Sequence, residues 1–343
     1  MVAANGGASG TPLKFKHPEM QETIIEFQSV SKRYGDHPAV QELDLQIAKG
    51  EIFGLLGPNG AGKTTTMFMI LGLIEPSQGH IRVMGLSPYR SAIEVKRKIG
   101  YLADTIGFYE QMSAKDNLTF IARLNQVAGQ HLDRRVDDLL DLVGLSSVAN
   151  NKAGTYSRGM KQRLGIAQAL IKRPKILILD EPTLGLDPKG VEDLLNLVQH
   201  LNQQHGITVI ISSHQLDQVQ KICHRVGIFV QGKLKAMGSI QDLSEQLSPE
   251  LGHNCSISWH QEADVDTVAL DGLLKARFAS SRISWGQNSL SVTTTEFLTP
   301  QLVACCASQG LPITQVQSNE LTLEEIYGKY FENEKERSKS TTI

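Results

Sequence analysis

At 343 residues the chain is long enough to bury at least one large core, and length alone suggests about two domains. Its 41% hydrophobic and 20% charged residues are the proportions of a soluble globular protein, and a net charge of −2 supplies no basic field for nucleic acid or an anionic membrane surface. The longest strongly apolar run, residues 67–74, falls far short of the ~20 residues that span a bilayer.

No basic stretch followed by an apolar one opens the chain, so no secretory signal is expected. Cys223, Cys255, Cys305 and Cys306 show neither CxxC spacing nor a nearby His pair, so they read as inert thiols of a reducing compartment. Residues 1–22 lack apolar periodicity and read as a flexible tail. Residues 24–30 and 40–47 read as strands, the second alternating with one slip. The expected loop between them holds Tyr34, either an ordinary loop tyrosine or an aromatic placed to stack on a base.

Gly57-Pro58-Asn59-Gly60-Ala61-Gly62-Lys63-Thr64-Thr65 follows one apolar run and precedes another, the strand, glycine-rich loop and helix order of a phosphate cradle. Glycines let the backbone adopt positive φ and bring N–H groups against phosphate oxygens, while the helix N-terminus adds partial positive charge. Lys63 is placed for the β- and γ-phosphates, the Thr64 hydroxyl for Mg2+, and Thr65 for the α-phosphate.

Two short strands around a polar helix follow, over residues 81–102. Helical periodicity then takes over behind an N-cap at Ser113 with Asp116 three residues on. Residues 105–172 are therefore expected to be an all-helical insertion within an α/β domain. It ends in Tyr156-Ser157-Arg158-Gly159-Met160-Lys161-Gln162-Arg163, which opens a long helix.

Ile176-Leu177-Ile178-Leu179-Asp180-Glu181 is a continuous apolar run ending in acids, the pattern of a buried parallel strand. Its C-terminal edge is where ligands bind in open α/β sheets. Asp180 is placed to hold Mg2+ through water, and Glu181 to polarise an attacking water; two acids at a strand end can be merely solvated, but the independent phosphate loop favours the catalytic reading. Residues 207–211 form another such strand, ending at His214, which either contacts a γ-phosphate or is structural. Residues 226–230 and 233–237 read as a hairpin closing the domain.

Residues 244–252 are expected to be a linker. Beyond it, the order βαββαβ over residues 253–332 predicts a ferredoxin-like α+β domain, with Thr299-Pro300 capping its second helix. Thr322 and Glu325 form a capping box for a helix whose apolar stripe is Leu323, Ile326, Tyr327, Tyr330 and Phe331. That stripe is read as packing on its own small domain, with a partner surface as the alternative. Residues 333–343 are a polar tail.

In this order and at these spacings, the motifs over residues 23–245 resemble the ATPase subunit of ATP-binding cassette (ABC) transporters. The most specific part is the segment from Tyr156 to Gln162, similar to the family signature Leu-Ser-Gly-Gly-Gln, with Ser157 lying 23 residues before Asp180. Arg158 replaces a signature glycine and Met160 its glutamine, but Ser157 and Gly159 remain; this variant is common in the exporter branch. The resemblance implies a P-loop NTPase fold with a RecA-like core, an antiparallel β subdomain and a helical insertion. It implies ATP and Mg2+ as ligands, Glu181, His214 and Lys63 as catalytic groups, and Tyr34 as the adenine-stacking aromatic. Ser157 and Gly159 would face a γ-phosphate held by a second ATPase subunit, identical or different, and Asp187 would lie in the loop joining the two sites. Asp104 stands where the family has a glutamine that binds Mg2+, and is carried over as a metal ligand with Thr64 and Asp180.

The function so implied is ATP hydrolysis that energises export through a separate transmembrane permease, from the cytoplasmic face of the inner membrane. The permease would dock over residues 104–116, with Phe108 and Tyr109 as anchors. The alternative is a soluble ABC-type ATPase acting in assembly or translation.

Overall fold

The computed structural model describes residues 22–127, 132–251, 253–260, 267–279, 281–294, 298–319 and 327–328. Both expected tails lie outside these residues apart from Glu22, as do Thr322, Glu325 and the apolar stripe apart from Tyr327. In chain order, β1 (Thr23–Tyr34), β2 (His37–Ala48) and β3 (Ile52–Leu56) lead to α1 (Lys63–Ile70), β4 (Gln78–Val83), α2 (Ala92–Arg97) and β5 (Ile99–Leu102). The helices α3 (Ala114–Leu124), α4 (Leu132–Leu142) and α5 (Arg158–Leu170) follow. The chain then alternates through β6 (Ile176–Asp180), α6 (Pro188–His205), β7 (Thr208–Ser213), α7 (Leu216–Val219), β8 (Arg225–Val230), β9 (Lys233–Gly238) and α8 (Ile240–Leu251).

A six-stranded sheet of order β5-β6-β7-β3-β8-β9 carries the phosphate loop, with every neighbouring pair parallel except the β8–β9 hairpin. Its central strands alternate between two cores. Ile52, Leu56, Leu177, Leu179, Val209 and Ile211 face a core shared with α3 to α6. Phe53, Leu55, Ile176, Ile178 and Ile210 face a core shared with α1 and the antiparallel strands. Burial on both faces is why these strands are apolar at consecutive positions. Each such side chain contributes about 1.5–3 kcal/mol, and together they hold the strand ends in register.

The antiparallel layer is β2-β1-β4. Its strands run beyond the expected limits, so residues 31–34 are strand rather than loop, and Tyr34 pairs with His37 across the turn at Gly35 and Asp36. Register shifts along β1 and β2 absorb the broken alternation that concealed this extension. The two β layers are tied by Arg225, whose guanidinium bonds both oxygens of buried Glu51 at 2.7 and 3.0 Å and the Gln46 carbonyl at 2.8 Å.

The helical insertion begins as expected, with the Ser113 hydroxyl accepting from the Asp116 N–H at 3.0 Å. The expected linker over residues 244–252 is instead largely the helix α8. Ser239 Oγ accepts from the Asp242 N–H at 3.1 Å, Asp242 accepts from the Ser239 N–H at 3.0 Å, and Leu243 is fully buried in the first core. A capping box and one apolar anchor outweigh the polar composition that suggested a linker.

Beyond it lie β10 (His253–Trp259), α9 (Thr267–Arg277), β11 (Arg282–Trp285), β12 (Ser289–Thr294), α10 (Thr299–Ser308) and β13 (Ile313–Asn319). The sheet order β11-β12-β10-β13, antiparallel throughout, is the ferredoxin-like arrangement. Its core contains Ile257, Leu274, Leu290 and Val292 together with the free thiols Cys255, Cys305 and Cys306. Leu298, not Thr299, occupies the N-cap of α10; the Thr299 hydroxyl bonds Ser318 Oγ at 3.0 Å instead. Tyr327 packs on the first core, in the ATPase part of the chain, and not on the small domain as expected. Among the described residues no helix is long and apolar enough to cross a membrane.

Candidate functional site

At the C-terminal edge of the six-stranded sheet lies a cavity of about 370 Å³. Pro58, Asn59, Gly60, Gly62, Lys63, Thr64 and Thr65 form its floor, Asp104, Asp180 and Glu181 one wall, and Tyr34, His37 and Ala39 another. Thus strands from both β layers converge on the glycine loop. Gly62 caps α1 with φ +105°, and a Cβ there would lie 2.6 Å from the Ala39 carbonyl, so the turn admits no side chain. Gly57 and Ala61 stand behind the floor: Gly57 gives its carbonyl to Lys63, and the Ala61 N–H donates to the Pro58 carbonyl at 3.2 Å.

Lys63 is 6% exposed and donates Nζ to the Gly57 and Pro58 carbonyls, the latter at 3.2 Å, with Glu181 Oε1 at 3.6 Å. Burial holds its pKa below the ordinary lysine value, with Glu181 and Asp180 opposing. Two carbonyls and one carboxylate therefore position an ammonium group over the loop, where an arriving phosphate would be a better partner.

Asp180 ends β6 and is nearly buried. Burial raises its pKa, Glu181 and Asp104 add to the rise, and Ser212 and Lys63 oppose it. Ser212 Oγ donates to Asp180 at 2.7 Å and accepts from the Glu181 N–H at 3.0 Å, so one hydroxyl of β7 orients both acids. Glu181 stands in left-handed backbone, φ +47°, uncommon for a residue with a side chain. Its Oε2 lies 2.9 Å from His214 Nδ1, and its buried Oε1 has no hydrogen-bond partner.

Neither His37 nor Tyr101 was singled out from the sequence. His37 reaches the cavity because β1 and β2 extend to a tight turn. Tyr101 lies on β5 beside Asp180 and Asp104; burial first, then Asp180 and Asp104, push its pKa to about 12. Only the pairing of β5 with β6 reveals it.

Ser157, Gly159 and Asp187 are not among the residues that line this cavity. Ser157 is exposed at the N-cap of α5, where its hydroxyl accepts from the Met160 N–H at 3.3 Å. Asp187 is exposed and caps α6, accepting from the Gly190 N–H at 3.2 Å. The Arg158 guanidinium lies over Gly185, between these two helix starts.

The residues present fit a nucleoside triphosphate and Mg2+. The loop admits no Cβ at Gly62, Glu181 Oε1 lacks a donor, and the neighbouring set of Thr64, Asp180 and Asp104 is hard oxygen. Among the described residues no cluster of three His, Cys, Asp or Glu forms a metal cage. Mg2+ instead is usually held by one or two carboxylates, waters and substrate phosphate.

A strand, glycine loop and helix, with an acid pair ending a nearby parallel strand, define a P-loop nucleoside triphosphatase. The ABC transporter family model matches residues 40–184. The chain is 42% identical over 212 residues to the bacitracin transport ATP-binding protein BcrA of Bacillus licheniformis, covering 62% of this chain and 68% of that protein. It is 33% identical over 304 residues to the linearmycin resistance ATP-binding protein LnrL of Bacillus subtilis (strain 168), covering 89% and 97%. It also superposes with a TM-score of 0.57 and 25% identity on the dimeric post-hydrolysis ATP-binding cassette MJ0796 bound to ADP and Pi, covering 63% of this chain and 98% of that one. The chain belongs to the ATP-binding subunits of ABC transporters, and it is an ATPase.

Proposed function

We propose that two ATPase subunits, at least one of them this chain, clasp Mg2+ and ATP between them to drive export through a separate permease. This reading rests on one observation: the cavity contains the loop, Asp180, Glu181 and Tyr34, while Ser157, exposed, and Gly159, half-buried, lie outside it. A triphosphate on one copy's loop would be completed by Ser157 Oγ and the α5 N-terminus of the second subunit. Asp187 would lie in the loop between the two sites.

Within one copy, Lys63 and the backbone N–H groups of residues 59–65 bind the phosphates, and Tyr34 stacks on the adenine. Thr64, Asp180 and Asp104 would hold Mg2+, which supplies neutralising charge to the β- and γ-phosphate oxygens. Glu181, steadied by His214 and Ser212, accepts the proton of the attacking water. Hydrolysis removes the shared γ-phosphate contacts, and the two subunits part.

The relatives named for bacitracin transport and linearmycin resistance support the export direction and favour it over a soluble assembly or translation factor. We read residues 23–245 as the cassette, with 105–172 as its helical part and 253–332 as a separate small domain. The permease would meet the helical part, which places the protein peripherally on the cytoplasmic face of the inner membrane.

Glu181→Gln should retain ATP affinity, lower turnover by about 10²–10⁴-fold and accumulate a dimer with ATP. Phosphate release and light scattering measure these; turnover at the parental rate would remove Glu181 from the mechanism.

A further inference from the structure

A second cavity, of about 510 Å³, lies at the opposite edge of the same sheet. Lys175 and Ile207, which line it, immediately precede the parallel strands β6 and β7, and Lys49 lies in the turn before β3, whereas the nucleotide cavity lies where those strands end. Its apolar wall is Leu139 and Leu142 of α4, Leu170 of α5 and Leu201 of α6. Arg135 and Arg173 join the two lysines around it, and among the described residues no Asp or Glu lines it. Its size is that of a small-molecule site.

The cations are unevenly satisfied. Lys49 is paired with Glu22 at 2.6 Å, and Glu22 also feels Lys175. Arg135 donates Nη2 to the Leu170 carbonyl at 2.6 Å, but its Nε is buried with no hydrogen-bond partner. Burial and then Arg173 hold the Arg135 pKa below its usual value, with only Asp138 opposing. Guanidinium N–H groups match carboxylate, phosphate or sulfate oxygens.

We propose that this cavity binds an amphiphilic anion, its headgroup taken by Arg135 and Arg173 and its apolar body lying against Leu139, Leu142 and Leu201. Charge complementarity selects the headgroup, and the leucine wall selects the tail. Such a ligand would bridge the helical part and the catalytic sheet without touching the nucleotide site, so the site is independent of the transport reading.

The test is calorimetric titration of the full-length protein with decyl phosphate below its micelle concentration, with decyltrimethylammonium as the same tail under the opposite charge. Saturable binding at one site is expected, at least about tenfold tighter for the phosphate than for the ammonium. Arg173→Glu and Leu142→Trp should each weaken decyl phosphate by at least about tenfold, while ATP affinity is retained. Equal affinity for both amphiphiles, or unchanged affinity in both variants, would overturn the assignment. Binding to phosphatidylglycerol vesicles without binding to monomeric decyl phosphate would overturn it too, because the headgroup would then be read on a membrane surface and not in the cavity.

Discussion

Asp180 shows how burial and catalysis conflict at the residue scale. Removing its carboxyl from water raises its pKa, and the acids Glu181 and Asp104 raise it further. An acid whose pKa is higher in the fold than in the unfolded chain keeps its proton to higher pH when folded. The nucleotide-free protein therefore gains stability from this group as pH falls through the raised pKa, and loses it as pH rises. Asp180→Asn should unfold at a higher temperature than the parent at pH 8, with the difference shrinking on acidification. Thermal unfolding across pH without nucleotide or metal measures it; a pH-independent difference would show that the carboxyl titrates alike in the folded and unfolded chain. The strained backbone of Glu181 is the companion cost, on the order of 1–3 kcal/mol, and it aims one carboxylate between Lys63 and His214.

At the element scale, the loop before α3 is held by one side chain. Asn117 is buried; its Oδ1 accepts from the Tyr109 N–H at 2.9 Å, and its Nδ2 donates to the Tyr109 and Ser113 carbonyls at 3.1 and 2.9 Å. The loop so fixed exposes Tyr109, edge-on to Phe120 at 5.0 Å, whereas Phe108 packs inward on the first core. Of the two expected permease anchors, only Tyr109 is presented. Asn117→Ala removes the acceptor of the Tyr109 N–H, while the Tyr109 and Ser113 carbonyls keep the Met112 and Asn117 N–H groups; it should cost about 1–3 kcal/mol and speed amide exchange over residues 109–113. Exchange unchanged there would mean that the loop is held by its other contacts. If this loop is the docking surface, the same variant should also weaken co-purification with the permease.

For the whole molecule, the exposed signature makes a separable prediction. Ser157 does not line the cavity, so Ser157→Arg should leave ATP affinity of the single chain within about twofold of the parent. Placed in the Glu181→Gln background, it should abolish the ATP-dependent dimer. Loss of nucleotide affinity in the monomer would place Ser157 in its own chain's site, and a persistent dimer would remove it from the interface.

The sequence by itself determined the parts of this protein that are local. A glycine loop between apolar runs, an apolar strand ending in two acids, the Ser113 cap and the βαββαβ order all depend on neighbours a few residues away, where periodicity and turn chemistry are strong. The reach of β1 and β2 to Tyr34 and His37 escaped it, because register shifts break the alternation while cross-strand bonds continue. The helix α8 escaped it because polar composition masked one capping box and one buried leucine. Only the tertiary structure decided that Tyr101 stands beside Asp180 and that Tyr327 returns to the ATPase core; Asp104 beside Asp180 and Ser157 outside the cavity were implied by the family resemblance and not by any local pattern. Those facts depend on which strands adjoin and which helix faces meet, and such long-range packing leaves no mark at any fixed spacing along the chain.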